Sequence, residues 1–195
     1  MLQVFGRVRS RTFRVVWLLE ELEIPYALEE VAPQSEEAQK VYQNGKIPFI
    51  VDNNHLISDS LAIHTYLSDK HKAFTESPGT IKRAKQDSLT FRILDEFDAL
   101  LWVAAKHTYI FSSDKKLPDI LNILKWEFVR NQEGIIYEFP IKKFICGEKF
   151  LVPDILLMHC LIWAQSMDFF VCTPLLQYAE RIMERSAYKK AFALR

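Results

Sequence analysis

A carboxylate and a hydroxyl stand together at the start of a helical pattern, downstream of a proline. Asp59 and Ser60 begin this pattern, and Pro48 follows Ile47. Amides at a helix N-terminus and the Ser60 hydroxyl can bind a carboxylate, while Asp59 can bind an ammonium group. The backbone of Ile47, turned outward beside a proline that can be cis, can pair with an extended peptide. These residues predict a site for a small zwitterionic peptide, with plain capping of the helix by Asp59 and Ser60 as the alternative.

A hairpin and a helix must position these residues. Residues 45–51 form a short, largely apolar run rich in β-branched side chains, so they predict a strand. Pro48 cannot donate to a sheet ladder, which favours an edge strand. Residues 52–54, Asp-Asn-Asn, tolerate positive φ and predict a tight turn into a second strand at 55–57. Apolar side chains at helical spacing then predict a helix over residues 61–67.

The preceding residues predict a strand, a helix and another strand. Residues 2–5 are a short apolar strand, and apolar side chains from Ser10 onward follow helical spacing until Pro25 stops the helix. Residues 26–31 alternate as a strand, so the order implies a parallel βαβ unit. The polar residues 33–45 predict a short irregular helix. Together with the hairpin, this order predicts an α/β domain with a thioredoxin-like fold.

The composition restricts the class of protein. Hydrophobic residues make up 49% of the 195 residues and Gly numbers only 5, which favours a helical globular protein. Lys plus Arg equals Asp plus Glu at 25 each, so no net field attracts nucleic acid or an anionic membrane. Arginines interrupt the N-terminal apolar residues, and no run of about 18 apolar residues occurs. We therefore expect a cytoplasmic protein.

The cysteines and histidines form no recognisable metal or redox motif. Cys146, Cys160 and Cys172 are widely spaced, and no histidine stands at zinc-ligand spacing from them. The five histidines are likewise scattered. We expect buried, unreactive cysteines, histidines that serve packing or lie at the surface, and no metal site.

The central segment resembles a known ligand-binding segment. Residues 45–48, Gly-Lys-Ile-Pro, followed by residues 59–63, Asp-Ser-Leu-Ala-Ile, are similar to the glutathione-binding segment of the cytosolic, bacterial-type glutathione S-transferase family. The resemblance implies that Pro48 is cis, that Ile47 pairs with the cysteinyl backbone of glutathione, and that Asp59 and Ser60 hold the γ-glutamyl end.

Two lysines are candidates for the opposite end of the tripeptide. Lys46 immediately precedes Ile47, so its stem can run along the ligand while its ammonium group, helped by Lys40, meets the glycyl carboxylate. A solvated surface lysine is the alternative.

The first helix carries the same resemblance, and residues 10–26 look like the corresponding part of many bacterial members. In serine-type members a hydroxyl near this helix start donates to the glutathione sulfur, which implies Ser10 here. A helix N-terminus with nearby cations would also lower a thiol pKa from about 8.5. Members often place the serine one residue earlier, where this chain has Arg9, so Arg9 and Arg11 are alternative candidates. A plain N-cap is the other interpretation of Ser10, and the absence of cysteine argues against the cysteine-type members.

The remainder of the chain predicts an all-helical domain. A polar stretch at residues 70–79 predicts a linker, so the predicted domains are residues 1–72 and 80–195. Long helices are expected at 81–105 and 117–137, and shorter ones near the C-terminus. Asp154 stands where the family has the acid of a capping box, but Leu151 replaces its hydroxyl residue.

The function implied by the resemblance is attack of glutathione thiolate on a small apolar electrophile. Glutathione would be the co-substrate, no metal would be needed, and the protein would be a homodimer. A non-catalytic binding or scaffold protein is one alternative, and a glutathione-dependent isomerase or peroxidase is another. The electrophile and the residues of its pocket do not follow from the sequence.

Overall fold

The computed structural model describes residues 1–195, which form two compact units. The first unit joins Met1–Pro78 to Met183–Arg195, and the second is Gly79–Ile182. The sequence prediction assigns residues 183–195 to the helical domain, whereas the structure packs this segment with the first unit.

A four-stranded sheet lies at the centre of the first unit. Its strands, in chain order, are β1 (Leu2–Phe5), β2 (Tyr26–Glu29), β3 (Phe49–Asp52) and β4 (His55–Ser58). They are arranged β2-β1-β3-β4, with β1 parallel to β2 and the other two pairs antiparallel. The helices of this part are α1 (Thr12–Glu21), α2 (Glu36–Val41) and α3 (Ser60–His71). The predicted βαβ unit, hairpin and thioredoxin-like fold are confirmed.

The hairpin shows one correction. Asn53 and Asn54 have φ values of 49° and 66°, so they form the predicted tight turn. The strand after Pro48, however, lies between β1 and β4 and is not an edge strand. Pro48 is tolerated because it precedes Phe49, the first paired residue of β3, and its missing N–H leaves no gap in the ladder.

The second unit is helical. Its helices are α4 (Ile81–Ile93), α5 (Leu100–Ala105), α6 (Ile120–Glu138), α7 (Val152–Ser166) and α8 (Thr173–Met183). The predicted uninterrupted helix over residues 81–105 is instead broken into α4 and α5 by a π-helical turn at Leu94–Ala99, and a second π-helical turn follows at Lys106–Ile110. No helix is long and apolar enough to cross a membrane.

The buried helix α7 is fixed at its start by Asp154. One carboxylate oxygen accepts the Leu151 N–H at 2.9 Å, and the other accepts the Ile145 N–H at 2.9 Å and the Tyr178 hydroxyl at 2.7 Å. The predicted half of a capping box is therefore present, and the missing hydroxyl of Leu151 is offset by these further bonds.

The last helix, α9 (Ser186–Ala193), packs on α1. Tyr188 meets Trp17 edge-on with ring centroids 5.1 Å apart. Arg185 binds both carboxylate oxygens of Glu21 at 2.6 Å, and the Glu21 side chain is only 6% exposed. This bidentate pair and the aromatic contacts attach the C-terminal segment to the first unit.

Candidate functional site

Three chain reversals meet at one end of the sheet. β1 ends at Phe5, β3 begins at Phe49, and β4 ends at Ser58, and the register pairs Phe5 with Phe49 and Phe49 with Ser58. The turn into α1, the residues before β3 and the start of α3 therefore lie side by side. Ligand-binding crevices of α/β sheets form at this kind of edge.

Gly6 allows these segments to approach closely. Its φ is 143°, and an added Cβ would lie 2.2 Å from the Thr12 Oγ1 and 3.2 Å from the Ile47 Cβ. A side chain at this position would therefore collide with the start of α1. The close approach brings Thr12 and Ile47 against the same turn.

Ile47 presents unpaired backbone groups at this edge. The Ile47–Pro48 peptide bond is cis, as the family resemblance implies. Neither the N–H nor the C=O of Ile47 forms a hydrogen bond within the chain. Since Ile47 is only partly buried, both groups can pair with an extended ligand.

Asp59 caps α3 and keeps one oxygen unused. Its Oδ1 accepts the N–H groups of Leu61 at 2.8 Å and Ala62 at 3.2 Å, whereas Oδ2 makes no hydrogen bond within the chain. Asp59 is exposed and has a φ of 74°, which is uncommon outside glycine. Capping and ligand binding are therefore compatible, because they use different oxygens. Ser60 begins the helix and is 4% exposed.

The Ser10 hydroxyl belongs to a turn that precedes α1. It donates to the Arg7 carbonyl at 2.7 Å, accepts the Thr12 N–H at 3.2 Å, and lies 3.0 Å from the Thr12 Oγ1. Because a carbonyl cannot donate, the single hydroxyl proton of Ser10 is used on Arg7, and Thr12 is the donor to Ser10. Ser10 therefore acts as a turn residue in this conformation.

Thr12 is a further candidate site residue, which the sequence analysis does not name. It is fully buried, it begins α1, and its hydroxyl contacts both Ser10 and the Gly6 turn. The available signal was a second hydroxyl residue two positions after Ser10 at a helix start.

The two arginines flanking Ser10 differ in position. The Arg9 Nε donates to the Arg195 carbonyl at 2.7 Å, and Arg9 is exposed. Arg11 is partly buried and is the N-cap residue of α1, with no side-chain cap bond. Arg11 is thus the cation nearer the helix N-terminus, whereas Arg9 is bonded to the C-terminal residue.

Lys40 and Lys46 are both exposed, and neither forms a salt bridge within the chain. Lys40 lies in the last turn of α2; hydrogen bonds from the Glu37 backbone and the Ser35 side chain lower the pKa of Glu37, and the Lys40 charge adds to this effect. Lys46 follows Gly45, whose backbone N–H and C=O bond to Tyr42 and Gln34. Lys46 is therefore on an anchored loop next to Ile47, and Lys40 is on the neighbouring helix.

A buried histidine lies beneath the start of α3. His64 is fully buried one helical turn after Ser60, and neither ring nitrogen has a hydrogen-bond partner of good geometry. Burial lowers the pKa of His64 to about 4; the Arg14 backbone and the Asp59 charge oppose the shift, and the Arg14 guanidinium adds to it. His64 therefore stays neutral at physiological pH.

The second unit brings three potential metal ligands together. Ligand atoms of Asp98, His159 and Cys160 lie within 4.8 Å of one another, and all three residues are buried. Asp98 lies in the first π-helical turn and the other two lie on α7. Sequence spacing gave no signal of this group because Asp98 is distant in the chain from the other two.

Comparison with known proteins gives one family match. Residues 6–77 match the family model described as the glutathione S-transferase N-terminal domain. No curated protein matches the sequence.

Solved structures resemble the whole chain. A glutathione transferase from Methylococcus capsulatus is 16% identical, with a TM-score of 0.83 and coverage of 99% of this chain and 98% of that one. A homologue from Lodderomyces elongisporus, solved with two glutathione molecules per subunit, is 19% identical, with a TM-score of 0.84 over 99% and 98%. Ure2p5 from Phanerochaete chrysosporium, cocrystallised with 1-(S-glutathionyl)-2,4-dinitrobenzene, is 16% identical, with a TM-score of 0.82 over 98% and 93%.

These structures share the fold of this chain, and the family match covers the segment that holds Gly6, Ile47 and Asp59. Residues 6–77 are thus similar to the glutathione S-transferase N-terminal domain, and the whole chain shares the fold of these solved glutathione transferases.

Proposed function

We propose that this protein is a glutathione transferase, in which bound glutathione thiolate attacks a small apolar electrophile. The observation that carries the proposal is the unpaired backbone of Ile47 beside the Asp59 cap of α3. A free strand edge next to a helix N-terminus and a carboxylate suits a short zwitterionic peptide. The cocrystallised relatives that hold glutathione or its conjugate support the same ligand.

The γ-glutamyl end of glutathione binds at the start of α3. Its α-ammonium group meets the Asp59 Oδ2, which has no partner within the chain. Its α-carboxylate lies on the Ser60 hydroxyl and the first amides of α3. The cysteinyl backbone pairs with Ile47, so the sulfur points toward the Gly6 turn.

The start of α1 activates the sulfur. The helix N-terminus and Arg11 favour the thiolate over the thiol, whose ordinary pKa is about 8.5. Ser10 donates to the sulfur once its hydroxyl turns away from the Arg7 carbonyl, and Thr12 holds the Ser10 oxygen in place. Arg9 adds positive charge from the exposed side of the turn.

The glycyl carboxylate lies toward the loop before Ile47. Lys46 and Lys40 have ammonium groups without ion-pair partners, so they are available to this carboxylate. Both are exposed, and their contribution is therefore sensitive to salt.

Glutathione binding without turnover is the second candidate. The bond from Ser10 to Arg7 favours it, because a proton used on a backbone carbonyl is not available to the sulfur. A glutathione-dependent isomerase or peroxidase would use the same thiolate and differ from a transferase only in the electrophile.

Steady-state assays with a panel of electrophiles, with and without glutathione, test the proposal. The panel should include 1-halo-2,4-dinitrobenzenes, alkyl halides, enones and organic hydroperoxides, and calorimetry should measure glutathione binding on the same sample. Conjugate formation with a halide or an enone supports a transferase, and reduction of a hydroperoxide with formation of glutathione disulfide supports a peroxidase. Tight binding with no product across the panel supports the non-catalytic candidate, and no binding contradicts both.

A cytoplasmic homodimer completes the proposal, with the family resemblance as its support. Light scattering at micromolar concentration tests the dimer. A monomeric mass there overturns this part and leaves the glutathione site standing.

A further inference from the structure

A pocket of about 660 Å³ lies in the first unit at the opposite end of α1 from the Gly6 turn. The end of α1, the start of β2 and α9 surround it. Its apolar lining consists of Leu19, Ile24, Leu28 and Leu194, with Pro25 beside them. This volume matches that of sites for small organic ligands.

Two carboxylates stand at the rim of this pocket. Glu20 accepts the Tyr26 hydroxyl on Oε1 at 2.8 Å, and its Oε2 has no bond within the chain. Glu23 is exposed, has a φ of 54°, and forms no ion pair. Both carboxylates therefore retain an unused oxygen.

One lysine is the only positive side chain of the lining. Lys190 is exposed and forms no salt bridge. The nearby Arg185 is bonded to both carboxylate oxygens of Glu21, so it does not neutralise the rim. Two carboxylates thus face a single ammonium group.

The helix itself adds to the negative potential. The C-terminus of α1 carries a partial negative charge from its last carbonyl groups, and its last turn contains no basic residue. The unused carboxylate oxygens and the C-terminus of α1 both make the potential at the pocket more negative. The rest of the pocket lining is mainly apolar.

We propose that this pocket is a second ligand site, for a small apolar organic cation of the arylalkylammonium class. The apolar body lies on Ile24, Leu28 and Leu194, and the ammonium group lies between the Glu20 Oε2 and Glu23. Tyr26 fixes the Glu20 carboxylate, so the charge is positioned before the ligand arrives. This site is separate from the glutathione site and does not depend on the proposed reaction.

The test uses 2-phenylethylammonium as the probe, titrated into the whole protein by NMR or calorimetry at low salt. The neutral 2-phenylethanol and the anionic 3-phenylpropionate have similar apolar bodies and serve as ligand controls. We expect the cation to bind at least about fivefold more tightly than either control. The two carboxylates and the helix C-terminus each favour a cation, and the expected factor is small because each contact is exposed to solvent.

Charge variants locate the site. The double variant E20Q/E23Q keeps an acceptor for the Tyr26 hydroxyl and should weaken cation binding about fivefold, whereas K190Q should not weaken it. The matched double variant E29Q/E30Q changes exposed carboxylates outside the pocket and should have no effect. Equal binding of the alcohol or the acid, or unchanged cation binding in E20Q/E23Q, overturns the proposal. Glutathione binding should be the same in all these variants.

Discussion

The Ser10 hydroxyl donates a hydrogen bond to the Arg7 carbonyl oxygen at 2.7 Å. This bond closes the turn before α1, and the Thr12 N–H and hydroxyl hold the same oxygen from the other side. Activation of a glutathione sulfur by Ser10 therefore requires exchange of one acceptor for another, and the exchange leaves the Arg7 carbonyl without this partner. Ser10 has a structural role whether or not it has a chemical one.

Replacement of Ser10 by Ala tests its chemical role. We expect S10A to raise the pKa of the bound glutathione thiol toward about 8.5, because the thiolate loses a hydrogen-bond donor. Turnover at neutral pH should fall more than glutathione affinity, since the thiolate matters for chemistry rather than for docking. Ultraviolet absorbance of the thiolate, titrated against pH, measures the shift.

Arg11→Ala is the matched comparison for this titration. If S10A titrates like the parent protein and R11A shows the raised pKa, the cation activates the sulfur and the hydroxyl serves the turn alone. Thr12→Val then separates positioning from donation, because it removes the hydroxyl that holds the Ser10 oxygen.

Local residue chemistry predicted most of the first unit. The turn at Asn53 and Asn54 and the parallel pairing of β1 with β2 follow from properties of a few neighbouring residues, whereas the cis bond before Pro48 was implied by the family resemblance. The place of β3 in the sheet did not follow from such properties, because strand order depends on contacts between distant segments. An edge strand was predicted because proline has no N–H to donate to a neighbouring strand. In the structure Pro48 needs no such donor, because it precedes Phe49, the first paired residue of β3.

The candidate site was predicted in part for the same reason. The motifs around Ile47 and Asp59 identified residues that the register brings together. Three other features depend on three-dimensional packing. They are the hydrogen bond from the Ser10 hydroxyl to the Arg7 carbonyl, the burial of Thr12, and the proximity of Asp98 to two residues of α7. Spacing in the sequence does not report such contacts.

Asp59→Asn separates ligand binding from capping. Asn is as good an N-cap as Asp and also tolerates positive φ, so the stability of D59N should stay close to that of the parent. Loss of the charge-assisted bond should weaken glutathione binding by tenfold or more, since such bonds contribute about 1.5–3 kcal/mol. Calorimetry measures the affinity and thermal unfolding measures the stability.

Asp59→Ala serves as the control, because it removes both functions. It should weaken binding like D59N and also destabilise the protein by roughly 1 kcal/mol or more through the lost cap. An unchanged dissociation constant in D59N would show that Asp59 only caps α3.

Lys46→Gln tests the glycyl end of the site. Lys46 is exposed and has no ion-pair partner, so any effect on glutathione binding comes from the ligand. We expect K46Q to weaken binding about threefold at low salt and to reduce the dependence of affinity on ionic strength. K40Q should have the smaller effect, and K115Q, an exposed lysine of the other unit, should have none. If glutathione affinity depends on salt in the same way in K46Q and in the parent, Lys46 is a solvated surface residue that does not contact the ligand.

Tyr178→Phe tests the polar group that fixes α7. The Tyr178 hydroxyl donates to the buried Asp154 carboxylate, and burial together with the Asp154 charge raises the pKa of Tyr178 well above its ordinary value. Loss of this bond should lower the free energy of unfolding by about 1.5–3 kcal/mol. Urea unfolding measures it, with the exposed Tyr137→Phe as the control. If Y178F and Y137F unfold in urea with the same midpoint and slope, the Tyr178 hydroxyl does not contribute to stability and the remaining hydrogen bonds of Asp154 are sufficient.

The buried His64 predicts a specific acid sensitivity. The unfolded chain binds a proton at this histidine below about pH 6.5, whereas the folded chain keeps it neutral down to about pH 4. The unfolded state therefore binds more protons between these values, and stability is lost as the pH falls through that window. A shift of this size corresponds to roughly 3 kcal/mol.

Comparison of the parent with His64→Leu isolates this contribution from all other titrations. The leucine fills a similar volume and cannot bind a proton, so the difference in unfolding free energy between H64L and the parent should move in favour of H64L by roughly 3 kcal/mol from pH 7 to pH 4. Urea unfolding at several pH values measures this difference, and His71→Leu, at an exposed position of the same helix, should not reproduce it. A constant difference between H64L and the parent across this range would mean that His64 is protonated in the folded protein as readily as in the unfolded chain. In that case the folded protein must provide a compensating partner for the ring, because an unpaired imidazolium cannot be buried without a large desolvation cost.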